Sequence, residues 1–473
     1  MEKRLYDYGM IGLGTMGRNL VYNMCDHGFS VAGFDKDFSK VEILEKGKGI
    51  YKICGAHNLK EFADALKKPR VILLLVPAGS IVDSVINKLK PWMSKNDLVM
   101  DCGNSHYSDT NLRIKKLEKE KIHFMGVGIS GGESGARNGP SIMPGGSKKA
   151  YERVAPLLEA ISAKAKGEPC VAYLGPGSAG HYVKMVHNGI EYAFMQLIAE
   201  AYQLLKQGAG MSNDQLHDIF LKWNDGSLKS YLVSITSDIF KQKDNLTGNR
   251  LVDMILDSAH QKGTGAWTTE DAMALQVPVP VIDVAVSMRN ISILKEERLV
   301  AQKQLQGPDM KINIDKQKLA DTLENALYFS IITIFAQGMA LLRNASDAYQ
   351  YDLKLEDIAG IWREGCIIRA SVLDDIMAAV TTQPALSNLM LSEVFKEKLA
   401  GLQENARQIV RTGINTGIPL PALMASLSYY DSYRSGWLPD NLLQAQRDYF
   451  GAHTYERTDR EGTFHTEWNQ KQH

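Results

Sequence analysis

Short apolar runs alternate with segments of helical periodicity over the first 178 residues of the chain. Each run has the length and apolar content of a buried strand, and each is followed by a turn rich in Gly, Pro, Asn or Asp. The runs are Tyr8–Ile11, Ser30–Phe34, Val71–Val76, Leu98–Asp101 and His123–Val127. Because strands that alternate with helices pair in parallel through right-handed crossovers, the pattern predicts an α/β doubly wound domain over residues 1–178.

Strand patterns almost disappear after Gly175–Gly177, where long segments of helical periodicity begin. They predict a large all-helical domain over residues 179–435, in which Ser212 is a candidate helix N-cap. The most apolar stretch, Ala326–Leu342, contains three polar side chains, so we expect a buried core helix and not a membrane span. The main helical segments are His181–Gln207, Tyr231–Lys241, Val281–Leu305, Lys316–Arg343 and Ser392–Thr412.

The remaining residues, 436–473, are polar and rich in Gln, Arg, Thr and His. This composition is typical of a C-terminal tail without a core of its own. The segment Arg447–His453 is too aromatic for a simple disordered tail, which makes it a candidate docking segment.

Composition and charge narrow the class of protein. The chain has 473 residues, enough for about two to four domains, and its 54 basic and 54 acidic residues cancel. This balance gives no support for a nucleic-acid or membrane-surface partner. The five cysteines contain no C-x-x-C pair, and the N-terminal MEKRLYDYGM lacks the apolar core of a signal peptide. We therefore expect a cytoplasmic protein without a disulfide framework.

A glycine-rich turn follows the first predicted strand and opens a helix. Gly12 permits the tight turn, Gly14 lets the backbone approach a pyrophosphate, and Gly17 lets helix and strand pack closely. Asp35 closes the next strand, where this Rossmann-type fingerprint places a ribose-binding carboxylate. A tight turn in an unrelated α/β protein is the alternative, but the combined features predict a dinucleotide site.

The residues after the second strand bear on the choice of dinucleotide. Asp35 would accept hydrogen bonds from the ribose hydroxyls and would repel a 2′-phosphate, and Asp37 adds a second negative charge. Lys36 is the opposing observation, since its cation could bind a 2′-phosphate. The segment favours NAD and leaves NADP open.

Four polar residues recur along one face of the first helix of the helical domain. Lys184, His187, Asn188 and Glu191 have the spacing i, i+3, i+4 and i+7, and the residues between them are mostly apolar. A structural ion-pair network is one interpretation. The other is a base and acid pair, because burial lowers a lysine pKa and raises a glutamate pKa towards neutrality.

Two further glycine-rich segments could bind anions. Gly128–Gly132 matches the G-x-S-x-G pattern of hydrolases, but the following Glu-Ser-Gly-Ala-Arg-Asn-Gly-Pro is a poor helix, which a hydrolase serine would require. We therefore expect a flexible loop whose amides and Ser130 hydroxyl bind an anionic substrate. Gln261–Gly265 is either a phosphate ligand or a bare turn.

Several longer strings give the chain a resemblance to decarboxylating 6-phosphogluconate dehydrogenases of the long form, over almost the whole length. They are GLGTMGRNL from Gly12, DCGNSHYSDT from Asp101, VGISGGESGARNGPSIMPGG from Val127, GHYVKMVHNGIEY from Gly180, QKGTGAWT from Gln261, GIWREGCIIRA from Gly360 and QRDYFGAHTYE from Gln446. The resemblance implies an oxidoreductase of the pentose phosphate pathway and of gluconate utilization. It would convert 6-phosphogluconate to ribulose 5-phosphate and CO₂ without a metal.

The resemblance also implies roles for individual residues. Lys184 would be the general base that later polarises the 3-keto group, and Glu191 would protonate the enediol. The substrate would be bound by Asn104, Ser130, Gly131, Gly132, His187, Asn188, Tyr192, Lys262, Thr264, Arg289, Arg447 and His453. The cofactor would be bound by Gly12, Gly14, Thr15, Met16, Gly17, Asp35, Lys36, Val76 and Asn104. The tail would complete the site of a second subunit, which implies a homodimer with shared active sites.

The chain departs from the family pattern at three places. Asp35–Asp37 replaces a common Asn-Arg-Thr, Pro77 a common Lys, and Cys102 a common Gly. The first two changes weaken the case for NADP. Two rival classes remain: another β-hydroxyacid dehydrogenase, such as a 3-hydroxyisobutyrate enzyme, and a non-catalytic dinucleotide sensor. Another β-hydroxyacid dehydrogenase should lack the cationic residues that bind a phosphate and should lack the tail. A non-catalytic sensor would not need both Lys184 and Glu191.

Overall fold

A computed structural model describes residues 5–261, 263–312 and 315–468. The chain separates into two compact units, Met1–Ser426 and Leu427–His473, which are described in turn. The domain limits predicted from the sequence, at 178 and 435, stay predictions.

The first unit contains a seven-stranded sheet of order β3-β2-β1-β4-β5-β6-β7. Its strands are β1 Tyr8–Ile11, β2 Val31–Phe34, β3 Ile53–Gly55, β4 Val71–Leu74, β5 Leu98–Asp101, β6 His123–Ser130 and β7 Ser141–Gly146. The first six are parallel, and β7 pairs antiparallel with β6. The sequence pattern did not predict β3, which has only three residues, or β7, whose Pro and Gly are atypical of a strand interior.

Both faces of this sheet are covered. Met10 belongs to one buried apolar cluster and Ile11 to another, as expected for neighbouring residues whose side chains point to opposite faces. The covering helices are α1 Thr15–Asp26, α2 Phe38–Glu45, α3 Leu59–Asp64, α4 Ser80–Leu89, α5 Tyr107–Glu118, α6 Gly132–Asn138 and α7 Lys148–Ile161. A small hairpin, β8 Lys164–Ala165 and β9 Glu168–Pro169, follows. The predicted doubly wound Rossmann-type fold is confirmed.

Helices dominate the chain from Ala179 onwards. They are α8 Ala179–Gln203, α9 Asn213–Asn224, α10 Tyr231–Lys241, α11 Thr264–Ala274, α12 Pro280–Ser292, α13 Lys295–Gln304, α14 Lys316–Tyr349, α15 Leu355–Trp362, α16 Val372–Thr382, α17 Glu393–Thr416 and α18 Pro421–Tyr433. Ser212 caps α9 as predicted, in a reciprocal capping box with Gln215.

Helix α14 is long and apolar enough to cross a membrane by length and composition alone. However, 89% of its most apolar window is buried inside the protein, including Ser330, Thr333 and Gln337. A helix that is apolar all round and covered by neighbours is a core helix. The predicted core helix over Ala326–Leu342 is confirmed.

The second unit contains regular structure. Its elements are the end of α18, helix α19 Asp440–Gly451, and an antiparallel pair, β10 Tyr455–Glu456 and β11 Thr463–Phe464. Asp448 has no exposed surface although it lies in this polar segment.

Candidate active site

The glycine-rich turn between β1 and α1 has the geometry predicted for a phosphate-binding turn. Gly12 has a φ of +99°, and a Cβ atom there would lie 2.3 Å from the Leu75 carbonyl oxygen. A Cβ on Gly17 would lie 1.9 Å from the Gly12 oxygen, so neither position admits a side chain. A Cβ on Gly14 would have nothing within 4 Å, which leaves open space above the helix N-terminus for a ligand.

Asp35 is held against this turn by two backbone amides. Its Oδ2 accepts a hydrogen bond from Leu13 N at 2.8 Å, and its Oδ1 accepts one from Asp37 N at 2.9 Å. Asp37 in turn caps α2 by accepting from Ser39 N, and Lys36 is exposed. Two carboxylates and one cation therefore lie beside the turn, as the sequence suggested.

The segment after β4 contacts the turn, and the loop after β5 contacts that segment. A Cβ on Gly12 would lie 3.1 Å from a Val76 methyl group, and a Cβ on Gly103 would lie 3.0 Å from the Val76 carbonyl oxygen. The Asp101 carboxylate accepts from Gly103 N at 3.1 Å and from Ser105 Oγ at 2.6 Å, on either side of Asn104. The structure thus brings Val76 next to the turn, with Thr15 and Met16 at the start of α1, and Asn104 is exposed one residue beyond the Gly103 that contacts Val76.

The four polar residues of α8 share one buried face. Lys184, His187 and Asn188 are at most 6% exposed, and the Glu191 side chain is 22% exposed. Lys184 Nζ donates a hydrogen bond to Asn188 Oδ1, which also lies 3.2 Å from His187 Nδ1. His187 Nδ1 is 3.7 Å from Glu191 Oε2. This is a connected network on two helical turns.

Burial shifts the pKa values of this network in the directions that proton transfer requires. Desolvation lowers the pKa of Lys184, and the Glu191 charge partly opposes this. Desolvation raises the pKa of Glu191, while Lys184 and Arg289 act in the opposite direction. Desolvation and the Lys184 charge hold the pKa of His187 well below its usual value, so His187 is neutral near pH 7. Both pKa values are thereby moved towards neutral pH, where Lys184 can act as a base and Glu191 as an acid.

Lys184 reaches its position because the neighbouring strand carries a glycine. A Cβ on Gly128 would lie 2.4 Å from Lys184 Cβ and 2.9 Å from its Cγ. The sequence predicted only a loop at Gly128 and did not predict its close contact with Lys184. A glycine within an otherwise apolar strand is the signal that could have indicated a close approach.

The segment after Ser130 differs from its prediction. Gly132–Asn138 forms helix α6, so the expectation of a flexible loop with no helix is wrong. Gly131 and Gly132 have φ values of +117° and +62°, and glycine at these left-handed positions starts the helix despite its poor helix-forming composition. Ser130 itself pairs with Ser141 inside the sheet, whereas a hydrolase serine sits on the strand-to-helix turn.

Ser130 is directly connected to the α8 face. Its Oγ lies 3.2 Å from His187 Nε2 and accepts a hydrogen bond from Ile367 N at 3.4 Å. Trp362 packs edge-on against the His187 ring, with centroids 5.7 Å apart. Trp362 and Ile367 belong to the GIWREGCIIRA string, which the sequence analysis quoted without assigning it a site.

A second cluster surrounds Tyr192. The Arg289 guanidinium carbon lies 3.7 Å from the centre of the Tyr192 ring, and a Cβ on Gly265 would lie 2.4 Å from that ring. Thr264 begins α11 beside Gly265. Three predicted phosphate ligands, Tyr192, Thr264 and Arg289, are therefore brought together, and Lys262 lies outside the described residues.

The predicted tail ligands belong to the second unit. Arg447 lies on α19, where its Nη1 donates to Gln444 Oε1 at 3.0 Å. His453 follows the helix and packs edge-on against Phe450. Both are exposed within the chain.

Within residues 5–261, 263–312 and 315–468, no group of three His, Cys, Asp or Glu side chains could hold a metal ion. The residues around the glycine-rich turn, by contrast, fit a dinucleotide.

Comparisons with known proteins agree with this arrangement. Residues 7–175 match the family model described as the NAD binding domain of 6-phosphogluconate dehydrogenase, and residues 180–468 match its C-terminal domain. Two curated relatives cover 97% of this chain and 98% of their own length. One, 52% identical, is the NADP(+)-dependent, decarboxylating 6-phosphogluconate dehydrogenase of Bacillus subtilis (strain 168). The other, 49% identical, is the decarboxylating 6-phosphogluconate dehydrogenase of Staphylococcus aureus (strain Mu50 / ATCC 700699).

A solved structure gives the same result. Plasmodium falciparum 6-phosphogluconate dehydrogenase, determined in apo form, with NADP+ and with 6-phosphogluconate, superposes with a TM-score of 0.93 at 43% identity. The match covers 98% of this chain and 100% of the other.

Proposed function

The chain belongs to the 6-phosphogluconate dehydrogenase family, and from this premise we propose that it oxidises and decarboxylates 6-phospho-D-gluconate to D-ribulose 5-phosphate and CO₂, with reduction of NAD(P)+. The observation that carries the proposal is the buried face of α8, where contacts of at most 3.7 Å connect Lys184 to Glu191 through Asn188 and His187. Two desolvated ionisable groups cost stability. A non-catalytic dinucleotide sensor would have no use for them that offsets this cost.

In the oxidative half of the reaction, neutral Lys184 removes the proton of the substrate's 3-hydroxyl. A dinucleotide held at the glycine-rich turn of Gly12, Gly14 and Gly17 would supply the acceptor for the hydride that leaves C3. Lys184 is then an ammonium beside the new 3-keto group, and its charge draws electrons towards the carbonyl oxygen. Burial makes that charge more effective than it would be in water.

In the second half, the bond between C1 and C2 breaks and CO₂ leaves. Its electron pair forms the enediol, and Lys184 returns its proton to the C3 oxygen. Glu191, whose pKa burial raises, acts as the acid and donates a proton to the former C2 carbon, while Lys184 takes the proton from the enediol hydroxyl. Lys184 ends as an ammonium and Glu191 as a carboxylate, and passage of that proton from Lys184 to Glu191, directly or through solvent, restores both groups and balances the sequence of transfers.

The substrate is bound along α8 from the carboxylate to the phosphate. Ser130, with the amides of Gly131 and Gly132, binds the carboxylate, and Asn104, His187 and Asn188 bind the hydroxyl groups. Support comes from the direct Ser130–His187 contact and from the open space at Gly132. The phosphate is bound by Tyr192, Lys262, Thr264 and Arg289, and by Arg447 and His453 of the tail.

The cofactor that we propose is NAD in preference to NADP. Asp35 and Asp37 place two negative charges beside the turn, and Asp35 is fixed there by Leu13 N. A 2′-phosphate would meet both carboxylates, whereas a free 2′-hydroxyl would donate to Asp35. Within the segment Asp35–Asp37, Lys36 provides the cation that could bind NADP instead.

Further proposals concern assembly and location. We expect a homodimer in which the tail of each chain completes the other subunit's site, because exposed aromatic and cationic residues on α19 need a surface to cover them. We also expect the enzyme in the cytoplasm, since its five cysteines are free.

The test of this function is a substrate comparison with purified full-length chain. We expect reduction of the nicotinamide with 6-phosphogluconate and hardly any with gluconate or 3-hydroxyisobutyrate, because neither occupies the cationic cluster at Arg289. Equal or faster turnover of 3-hydroxyisobutyrate would assign the chain to another β-hydroxyacid dehydrogenase class.

A further inference from the structure

One carboxylate in the second unit accepts hydrogen bonds from two separate segments of the tail, one at Thr454 and one at residues 465–468. Asp448 Oδ1 accepts from Thr454 N at 2.9 Å and lies 2.9 Å from His465 Nδ1. Its Oδ2 accepts from Thr466 N at 3.0 Å and from Trp468 Nε1 at 2.8 Å. Asp448 has no exposed surface, and each of its two carboxylate oxygens contacts two groups of the tail.

These contacts fix the backbone on the C-terminal side of His453. Ala452 and Thr454, its two neighbours, have φ values of +47° and +61°, in the left-handed region that non-glycine residues rarely adopt. The Ala452 amide donates to the Asp448 carbonyl oxygen at 2.9 Å, and the Thr454 amide donates to the Asp448 side chain. A turn of this kind persists only where surrounding contacts over-determine it.

A second bridge connects the same turn to Arg447. Gln444 Nε2 donates to the Thr454 carbonyl oxygen at 2.6 Å, and Gln444 Oε1 accepts from Arg447 Nη1 at 3.0 Å. Thr454 is therefore held at its amide by Asp448 and at its carbonyl by Gln444. The positions of Arg447 and His453 are therefore coupled through Thr454, which both bridges contact.

We propose that Asp448 is a positioning residue of the reaction, which sets the backbone of the tail so that Arg447 and His453 are presented together as a preformed pair for the substrate phosphate. This inference rests on the proposed function, because it takes the phosphate of 6-phosphogluconate as the ligand of that pair. A preformed pair binds more tightly than two independent side chains, since less conformational freedom is lost on binding.

Replacing Asp448 by Asn tests the inference with little change of shape. The amide cannot accept all four hydrogen bonds, and its NH₂ group faces donors. In the full-length enzyme we expect Asp448→Asn to raise the KM for 6-phosphogluconate roughly 10- to 100-fold, with the cofactor KM unchanged, since small misplacements of binding groups have effects of this size. The matched control is Asp459→Asn, an exposed carboxylate of the same tail, which should change KM by no more than about twofold.

The decisive comparison introduces Asp448→Asn into a chain that already carries Arg447→Ala and His453→Ala. If Asp448 acts through this pair, its replacement has no further effect on KM there. An equal rise of KM in both backgrounds would overturn the inference, and so would an unchanged KM in Asp448→Asn alone. The proposed function would stand in either case, provided that the wild-type enzyme is active. Absence of turnover by the wild type would instead overturn the proposed function, and the inference with it.

A milder variant covers the case in which Asp448→Asn does not fold. Trp468→Phe removes one of the four donors and keeps the aromatic ring. We expect a smaller rise in the KM for 6-phosphogluconate that also disappears in the Arg447→Ala, His453→Ala background. A Trp468→Phe enzyme with wild-type KM would contradict the inference.

Discussion

Lys184 and Glu191 lie two turns apart on the same face of α8, and each opposes the pKa shift that burial imposes on the other. Burial lowers the pKa of Lys184 and the Glu191 charge raises it. Burial raises the pKa of Glu191 and the Lys184 charge lowers it. Each group therefore tunes the other for proton transfer, and a change at one should be measurable at the other.

Replacing Glu191 by Gln should slow product formation by about 10²–10⁴ and move the pH dependence in a defined direction. Without the carboxylate, the ammonium form of Lys184 loses its stabilising charge, so its pKa falls further below its ordinary value. Because Lys184 acts as a base when deprotonated, the limb of kcat/KM that rises with pH should move to lower pH. Glu404→Gln, an exposed position, should leave the limb where it is. A stationary or upward-moving limb in Glu191→Gln would contradict the coupling.

Gly128→Ala should damage the site through Lys184. The new Cβ would overlap Lys184 Cβ at 2.4 Å, and overpacking of this kind costs about 1–3 kcal/mol of folding free energy. Displacement of the base should reduce kcat/KM by roughly 10²-fold. Gly401→Ala is the matched control, because its Cβ would meet nothing within 4 Å. Thermal unfolding and steady-state kinetics of both variants test this prediction. A Gly128→Ala enzyme with unchanged kcat/KM would contradict it, because it would show that the reaction tolerates a shift of Lys184.

The cofactor preference should follow the segment Asp35–Asp37. We expect a higher kcat/KM with NAD than with NADP, because two carboxylates disfavour a 2′-phosphate. Replacing the segment by Asn-Arg-Thr should reverse the preference, since an arginine binds phosphate through charge-assisted hydrogen bonds. A wild-type enzyme that prefers NADP by about tenfold or more would mean that Lys36 outweighs both carboxylates.

Sharing of the active site between subunits can be tested by mixing variants. Truncation after Ser435 should remove activity and weaken the dimer together, and Arg447→Ala should mainly raise the KM for 6-phosphogluconate. In heterodimers of a Lys184→Met chain and an Arg447→Ala chain, one of the two sites has both residues if the tail crosses over. At substrate concentrations well below the raised KM, where neither variant alone is active, activity should then partly return. Verified heterodimers without recovery would assign the tail to its own subunit.

Local sequence patterns predicted the features that depend on local geometry. Helical spacing put Lys184, His187, Asn188 and Glu191 on one face, and the structure connects all four by contacts of at most 3.7 Å. The glycine-rich turn was predicted for the same reason, since its steric demands involve neighbouring elements in the chain.

Features that depend on distant segments were not predicted. The Ile367 amide reaches Ser130 from 237 residues away, and no periodicity encodes such a contact. Helix α6 was missed because left-handed glycines at its start override its poor composition. The four hydrogen bonds to Asp448 join residues that look unremarkable in a polar tail.

The central claim is that the Lys184 face of α8 carries out the oxidative decarboxylation of 6-phosphogluconate. It is tested most directly by measuring CO₂ released and nicotinamide reduced for the wild type and for Lys184→Met, with both dinucleotides. We predict equal amounts of the two products in the wild type and the loss of both in Lys184→Met, because desolvation holds the pKa of His187, the other nitrogen base of that face, well below its usual value and makes it too weak a base to replace Lys184. A Lys184→Met enzyme that retains more than about a tenth of wild-type turnover, or a wild type that reduces nicotinamide without releasing CO₂, would contradict the account.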